Sequence, residues 1–412
     1  MENNLTPPIN YSTRNTCRIC QNKILHKRVP LNPLPVQSPN VKTDKIIFEK
    51  APADVWQCEN CGLLQLTSIV EPKFQYDNFQ YLSQISKGLL EHFRKLINQL
   101  QKNGLVGKDK FVLDIGSNDG SLLLMAKEKG AKVLGIDPAK DPAALAIASG
   151  VPTIVDFFTH TTVDEVLQLY PKPDVIISNN TVANLDDLHS FFSNIKKLLD
   201  NQGVLIIETQ YAADVIEKCL LDVIYHEHLN YFSLKPLKFL LKMHELKIDN
   251  VECISPKGGS IRFYIRHIEY KTEQTFNNLA HLEKIEQKAL LYDQKGFEKL
   301  NIFVAELSEK LSKKITDEKH NFGKASGWGS SVGCAAVMHY CNITELLDVV
   351  FDDTPLNPYI IGNEKIINVL SGEELYNNEF VNIPVFSWRY VDNIKNRHKS
   401  FEANGGKFYP IL

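Results

Sequence analysis

Between residues 110 and 210 short apolar runs alternate regularly with helical stretches. KFVLDIG (110–116) reads as a buried strand, SLLLMAKEKG (121–130) as a helix stopped by glycine, and KVLGID (132–137) as a second strand. DPAALAIASG (141–150) repeats the helix with its Gly stop. TIVDFF (153–158), DVIISNN (174–180) and GVLIIETQ (203–210) supply three further strands, with the helical stretch DDLHSFFSNIKKLL (186–199) between the last two. Strands buried on both faces and joined by helical crossovers form a parallel sheet with helices on each side. This pattern restricts the middle of the chain to an α/β fold.

The chain has 412 residues, too many for one ordinary domain. GLLEHFRKLINQLQKNGL (88–105) is an amphipathic helix ahead of the first strand. Residues 270–320 are rich in Lys, Glu, Gln and Leu at helical spacing and read as solvent-facing linker helices. The α/β pattern then restarts: KASGWGSS as strand and glycine turn, VGCAAVMHYC as helix, LLDVVFDD and IPVFSWRY as strands, and NIKNRHKSFEANGG as a last helix. The expected division is a metal-binding module over 1–75, a ligand-binding α/β domain over 76–240, and a smaller C-terminal α/β substrate domain with its helical linker over 241–412.

Four of the eight cysteines form two CxxC pairs, Cys17/Cys20 and Cys58/Cys61. A CxxC turn sets two thiolates to grip one side of a tetrahedral ion, so two pairs close one four-cysteine zinc site. With no open coordination position the zinc is structural. Neither pair sits at a strand-to-helix junction, which argues against a redox role. The segment between them carries Pro30, Pro33, Pro35, Pro39 and Pro52 and reads as irregular.

A composition of 43% hydrophobic and 23% charged residues excludes disorder as the main theme. A formal charge of −3 argues against nucleic acid as the main partner. No apolar run approaches a membrane span, and MENNLTPPINYSTRN has no apolar h-region, so a cytoplasmic protein is expected.

VLDIGSNDGSLL places Asp114, Gly116, Ser117, Asn118 and Gly120 on a strand-to-helix turn. Gly116 permits the turn, and Gly120 is expected to let a ligand approach the helix start. Asp137 ends the next strand, where a carboxylate reaches both ribose hydroxyls. The DxGxxxG spacing departs from GxGxxG. It suits S-adenosylmethionine, which has no pyrophosphate to cradle and whose amino acid end would lie near Asp114, Gly116 and Ser117. Asp156 and Phe157, after the third strand, are expected to bracket the adenine. Another nucleotide remains the alternative.

Tyr225-His226-Glu227-His228 follows the fifth strand. In extended form Tyr225 and Glu227 face one way and the histidines the other; in a helical turn Tyr225 and His228 share a face. Either arrangement offers a base near neutral pH. The HExxH zinc-protease spacing is absent. The glycine turn GKASGWGSSVGC, which contains Lys324 and Trp328, is a second candidate, for a phosphate.

In sequence order, CRIC, CENCGLLQL, YLSQIS, DIGSNDGSLL, GIDPAK, IYHEHLNYFSL, KGGSIRFY, GWGSSVGCAAV, FDDTPL and GGKFYPIL resemble the sugar C-methyltransferases that act on nucleotide-linked ketosugars. The resemblance spans nearly the whole chain. It implies a class I, Rossmann-like methyltransferase domain and transfer of a methyl group to the carbon beside a ketone through an enolate. It implies His228 or Tyr225 as base, Glu227 orienting the imidazole, and Tyr81 against the sugar. Tyr76, His226, Lys324 and Trp328 are the expected substrate contacts, and the expected state is a monomer or dimer. Three departures stand out: Asn184 where the family often has histidine, Lys257 opening the KGGS segment where histidine is common, and DDTPLNP in place of a stretch followed by Lys-Gln-Gly. Methylation of another small acceptor, including O-methylation, and a non-catalytic scaffold are the alternatives.

Overall fold

The computed structural model describes residues 11–36, 48–72, 81–271, 278–355, 357–377 and 380–411. Its centre is a seven-stranded sheet of β1 (Phe111–Ile115), β2 (Lys132–Ile136), β3 (Thr153–Ile154), β4 (Val175–Asn179), β5 (Val204–Gln210), β6 (Leu246–Ile254) and β7 (Ser260–His267), in spatial order β3-β2-β1-β4-β5-β7-β6. Only β7 runs antiparallel to its neighbours. Helices α1 (Lys87–Lys102), α2 (Ser121–Glu128) and α3 (Lys140–Ala148) precede β3, with α4 (His160–Leu169) and α5 (Leu188–Leu198) following in turn. Alternate residues serve the two faces. Val112, Val175, Ile177, Val204 and Ile206 pack under Phe93, Leu96 and Leu100 of α1 and Leu122 of α2. Leu113, Ile176, Leu205 and Ile207 pack under Val163 of α4 and Phe191 and Ile195 of α5. The strand order reverses between β1 and β4, which opens a crevice at the carboxyl ends of these strands.

β6 and β7 lie beyond residue 240 yet complete this sheet, so the expected domain boundary there cuts through one hydrogen-bonded layer. The hairpin was illegible because it buries arginines. Arg262 pairs with Glu208 of β5 and Glu252 of β6, and Glu208 also meets His92 of α1 at 2.6 Å. Paired internally, these charges sit where an apolar pattern would be sought.

The N-terminal module is less irregular than expected. Strands Leu25–Val29, Val55–Cys58 and Leu64–Leu66 form an antiparallel sheet whose fourth strand is Asn230–Tyr231, directly after the YHEH turn. After α6 (Ala212–Glu217) and α7 (Leu234–Met243), helices α8 (Asn278–Lys288) and α9 (Glu298–Phe322) lead into the C-terminal domain. α9 is not wholly solvent-facing: Leu300, Leu307, Leu311 and Ile315 bury one stripe, and Gly323 closes it in a left-handed C-cap. The last sheet comprises β8 (Ser326–Trp328), β9 (Val349–Asp352), β10 (Tyr359–Ile361), β11 (Ile366–Ser371), β12 (Asn382–Val385) and β13 (Lys407–Pro410), in order β10-β11-β9-β8-β12-β13, with α10 (Val332–Tyr340) after β8. Among the described residues no helix is long and apolar enough to cross a membrane.

Candidate active site

The turn after β1 is shaped by two glycines with positive φ. A Cβ on Gly116 would lie 2.2 Å from Thr181 Oγ1. A Cβ on Gly120 would lie 2.9 Å from Ala146 Cβ, so Gly120 serves the close packing of α2 against α3 and not the approach of a ligand. Asp137 Oδ2 accepts from Asn118 N at 2.7 Å and Oδ1 from Ala139 N at 2.8 Å, which ties the loop to the end of β2. A carboxylate has lone pairs left over for two hydroxyls after these bonds.

The segment before α1 lies on this loop. Asn118 Oδ1 accepts from Ser83 N at 2.9 Å, Asn118 Nδ2 donates to Tyr81 O at 2.9 Å, and Asp119 Oδ2 accepts from Gln84 N at 2.8 Å. Tyr81 is thereby held over the crevice, where burial, with Tyr390 nearby, raises its phenol pKa. Asp156 is exposed and Phe157 half-buried just past β3, at the same sheet edge. Tyr76 lies outside the described residues.

Asp114 Oδ1, Ser117 Oγ and both amide atoms of Asn179 are buried without a hydrogen-bond partner among the described residues. Burial, then the charge of Asp137, pushes the Asp114 carboxyl up to about 8. Buried polar atoms left this way need a partner, and a ligand with cationic and polar ends supplies one. A carboxyl beside a sheet-end crevice and a second carboxylate on the next strand fit S-adenosylmethionine, whose ammonium would neutralise Asp114 and whose ribose would meet Asp137.

The YHEH segment is a turn: His228 N donates to Tyr225 O at 2.9 Å, and the two rings stand 4.2 Å apart. Of the two arrangements open from sequence, the shared face is the one formed. His228 Nδ1 donates to Val223 O at 2.7 Å, because a carbonyl only accepts, so Nε2 carries the lone pair and accepts from Gln210 Nε2 at 3.0 Å. Gln210 ends β5, and Glu208, two residues earlier on the strand, pairs in register with Asn179, so the imidazole and the cofactor crevice share one sheet edge. Burial, then the charge of Lys257, pushes His228 down to about 3. Burial raises the Glu227 carboxyl and Lys257 opposes that rise. Asn184 follows β4 at the same edge, where Ala183 O and Leu185 O on either side accept from Asn230 Nδ2 at 3.2 and 2.7 Å.

Three expected substrate contacts are corrected. His226 Nε2 bonds Ala51 O at 3.1 Å and Pro52 O at 3.3 Å, so its ring anchors the metal module and is spent there. Trp328 is 2% exposed and packs against Phe351, His398 and Phe408 in the core of the C-terminal sheet. Lys324 precedes β8, at the opposite end of that strand from the glycine turn, and lies over the Phe380 ring. Gln210 and Asn179 escaped sequence reading; the available signal was an amide side chain closing an apolar strand at the ligand-binding edge.

The four cysteine sulfurs all lie within 4.8 Å of one another, with Cys17–Cys61 and Cys20–Cys58 at 3.4 Å. Ligands on a tetrahedral zinc at about 2.3 Å stand about 3.8 Å apart, so this cluster fits the ion with little movement. Zinc here would staple the two knuckles.

A zinc binding domain model matches residues 17–76, a methyltransferase domain model 87–251, and a C-methyltransferase C-terminal domain model 255–412. The chain is 25% identical over 362 residues to C-methyltransferase NovU of Streptomyces niveus, covering 87% of this chain and 85% of the relative. It is 29% identical over 191 residues to a ubiquinone biosynthesis O-methyltransferase of Actinobacillus pleuropneumoniae, covering 41% of this chain and 76% of that protein. A magnesium protoporphyrin IX methyltransferase of Synechocystis with bound SAM overlaps 47% of this chain and 87% of its own, at 17% identity and a TM-score of 0.34. The strand order, the four-cysteine cluster and the three matched domains in sequence agree: the chain belongs to the S-adenosylmethionine-dependent C-methyltransferases that join a zinc-binding module to a class I methyltransferase domain and a C-methyltransferase C-terminal domain.

Proposed function

We propose that this C-methyltransferase acts on the carbon beside the ketone of a nucleotide-linked ketosugar, through an enolate. The observation that carries the reading is the fixed tautomer of His228: with Nδ1–H held by Val223 O, the Nε2 lone pair lies at the ligand edge of the sheet, with the Tyr225 ring tilted against the imidazole. A ketone acidifies its neighbouring C–H, and a positioned base is what this chemistry asks of the protein. Gln210 occupies Nε2 in the free site and would yield it to the substrate C–H. Burial keeps His228 neutral at physiological pH, hence able to accept a proton, and the charge of a bound diphosphate raises its basicity. Bound S-adenosylmethionine supplies an electrophilic methyl group. Asp114, Ser117 and Asp137 would hold that cofactor, Tyr81 would cover the acceptor, and closure of the segment before α1 would exclude water.

The test is mass spectrometry of the zinc-loaded protein incubated with S-adenosylmethionine and a panel of nucleoside-diphosphate 4-ketohexoses. A mass gain of one methyl on a carbon-bound position is expected. A methyl placed on oxygen, or transfer only to acceptors without a ketone, overturns the reading.

A further inference from the structure

Lys257 stands in a position that neither the fold nor the zinc module explains. It follows β6 in a turn over Pro256–Gly258, and its own φ of +57° is in the left-handed region that a lysine rarely adopts. The turn is pinned from several sides. Gly259 N and Ser260 Oγ donate to Pro256 O at 3.1 and 3.0 Å, and Lys218 Nζ donates to Gly258 O at 3.3 Å. A Cβ on Gly259 would lie 2.2 Å from Asp214 Oδ2. The conformation is therefore imposed, and such outliers gather where a side chain must be aimed.

Its charge is aimed at the YHEH turn. The turn lies against the segment that holds the candidate base: a Cβ on Gly258 would lie 2.9 Å from Arg389 Nη2 and 3.0 Å from Leu220 Cδ2, Arg389 pairs with Asp222, and the next residue, Val223, accepts the His228 Nδ1 proton. From this turn the ammonium lowers His228 and opposes the rise at Glu227. Asp222 is already occupied by Arg389, which holds it with both terminal guanidinium nitrogens. No carboxylate of the described residues lies within ion-pairing distance of Lys257, and the side chain is half-buried. Desolvation, reinforced by Arg389 and opposed by Glu227, pushes its pKa down to about 8, so it remains mostly charged at neutral pH. A half-buried cation without a carboxylate in pairing distance, on a turn packed against the segment that holds the candidate base, is an electrostatic site for an anion that appears during turnover.

We propose that Lys257 supplies the positive charge that meets the ketone oxygen as the neighbouring C–H bond breaks. The proposal rests on the enolate reading above. In that step the C–H bond electrons form the enolate C=C, the carbonyl π pair moves to oxygen, and the proton passes to His228 Nε2. The oxygen gains a full negative charge, and the ammonium faces it beside the buried His228 ring.

The test is deuterium washout from the carbon beside the ketone, with S-adenosylhomocysteine bound and a nucleoside-diphosphate 4-ketohexose as probe. Lys257→Met should slow washout by about 10²–10³-fold. Lys257→Arg, which keeps the charge, should stay within about tenfold of wild type, and both should bind S-adenosylhomocysteine as wild type does. In a carbon-detected NMR titration His228 should become more basic in Lys257→Met. Washout at the wild-type rate in Lys257→Met overturns the proposal and leaves the enolate reading standing, as does equal loss in both variants. No washout in wild type overturns the enolate reading and the proposal together. Should Lys257→Met fail to fold, Lys257→Gln carries the same comparison.

Discussion

Arg18 and Asp186 form an ion pair of 2.8 Å across 168 residues of sequence, joining the metal module to the loop after β4. Arg18 sits between the cysteines of the first pair, and its side chain is fully buried. The same guanidinium also donates to Leu66 O and, at 3.4 Å, to Leu229 O, the residue after His228. The zinc knuckle thus grips the Asn184 loop and the YHEH turn at once. His226 on the carbonyls of Ala51 and Pro52, and Asn230 in the module's sheet, repeat the connection.

Arg18→Ala takes one of two arginines from Asp186, which keeps Arg14 at 2.7 Å, and removes a donor from the buried Leu66 carbonyl. Breaking a buried pair outright costs about 3–5 kcal/mol; with Asp186 partly exposed and still paired with Arg14, the loss should be about 1–3 kcal/mol, the cost of a buried acceptor left without its donor. Urea denaturation should show that drop, with methyl transfer falling in parallel. Unchanged stability would mean that the module docks by its apolar contacts alone.

Zinc removal should disable a site to which the metal contributes no ligand position. One zinc per chain is expected by atomic emission, and structural thiolate sites contribute about 10 kcal/mol or more to folding a small module. Chelation, or Cys58→Ser, should release the strand Asn230–Tyr231 and with it the YHEH turn. Protein that retains full methyl transfer after complete metal loss would separate the module from catalysis.

Asp114 gives the ligand-free protein a pH dependence of definite sign. Its carboxyl is raised to about 8 in the folded state, from about 3.9 when unfolded. Such a group favours folding fully below its unfolded pKa and loses that contribution as pH rises towards the folded value. Asp114→Asn should therefore flatten the stability curve over that window, by up to about 1.4 kcal/mol per pH unit. Because a cation beside Asp114 lowers its pKa, S-adenosylmethionine binding at neutral pH should release a proton. Calorimetry in two buffers of different ionisation enthalpy measures it, and equal heats would place the ammonium elsewhere.

His228→Asn should leave cofactor affinity unchanged and lower methyl transfer by roughly 10²–10⁴-fold, the usual worth of a positioned base. Asparagine can accept from Gln210 but cannot take up a proton at neutral pH. Asn184, which has the same limitation, offers no substitute base. If turnover survives in this variant, Tyr225, whose ring packs against the imidazole, is the next residue to replace.

Trp328 and Lys324 should behave as structural residues. Trp328→Ala empties a packed aromatic core, at about 3–5 kcal/mol, and the loss should show as a lower unfolding midpoint. Lys324→Ala removes one cation above Phe380 and should leave the acceptor KM within about twofold. A tenfold rise in KM would return Lys324 to the substrate site.

Much of this architecture is written in local pattern. The period of the apolar runs dictates β1 to β5 and their helices, and the CxxC spacing dictates the thiolate cluster, because each depends on residues a few positions apart. Even there β3 is only two residues long, since TIVDFF has one neighbouring strand to pair with. The acidic residues of the cofactor crevice were legible for the same reason: Asp114 and Asp137 each sit at or near a strand end.

The remaining decisions belong to contacts between distant segments. Whether Arg262 marks a surface or a core strand depends on Glu208, 54 residues away. His226 serves the module and His228 the site only because the turn between β5 and α7 is clamped by Arg18 and by the Gln65–Asn230 register. Trp328 lies on a three-residue strand, too short for alternation to say which way its ring faces. Sequence alone determined the parallel strands β1 to β5 and the zinc ligands, because local geometry suffices for those. Tertiary structure decided which polar side chains are spent on joining domains and which remain for chemistry, because burial and pairing are properties of the assembled interior.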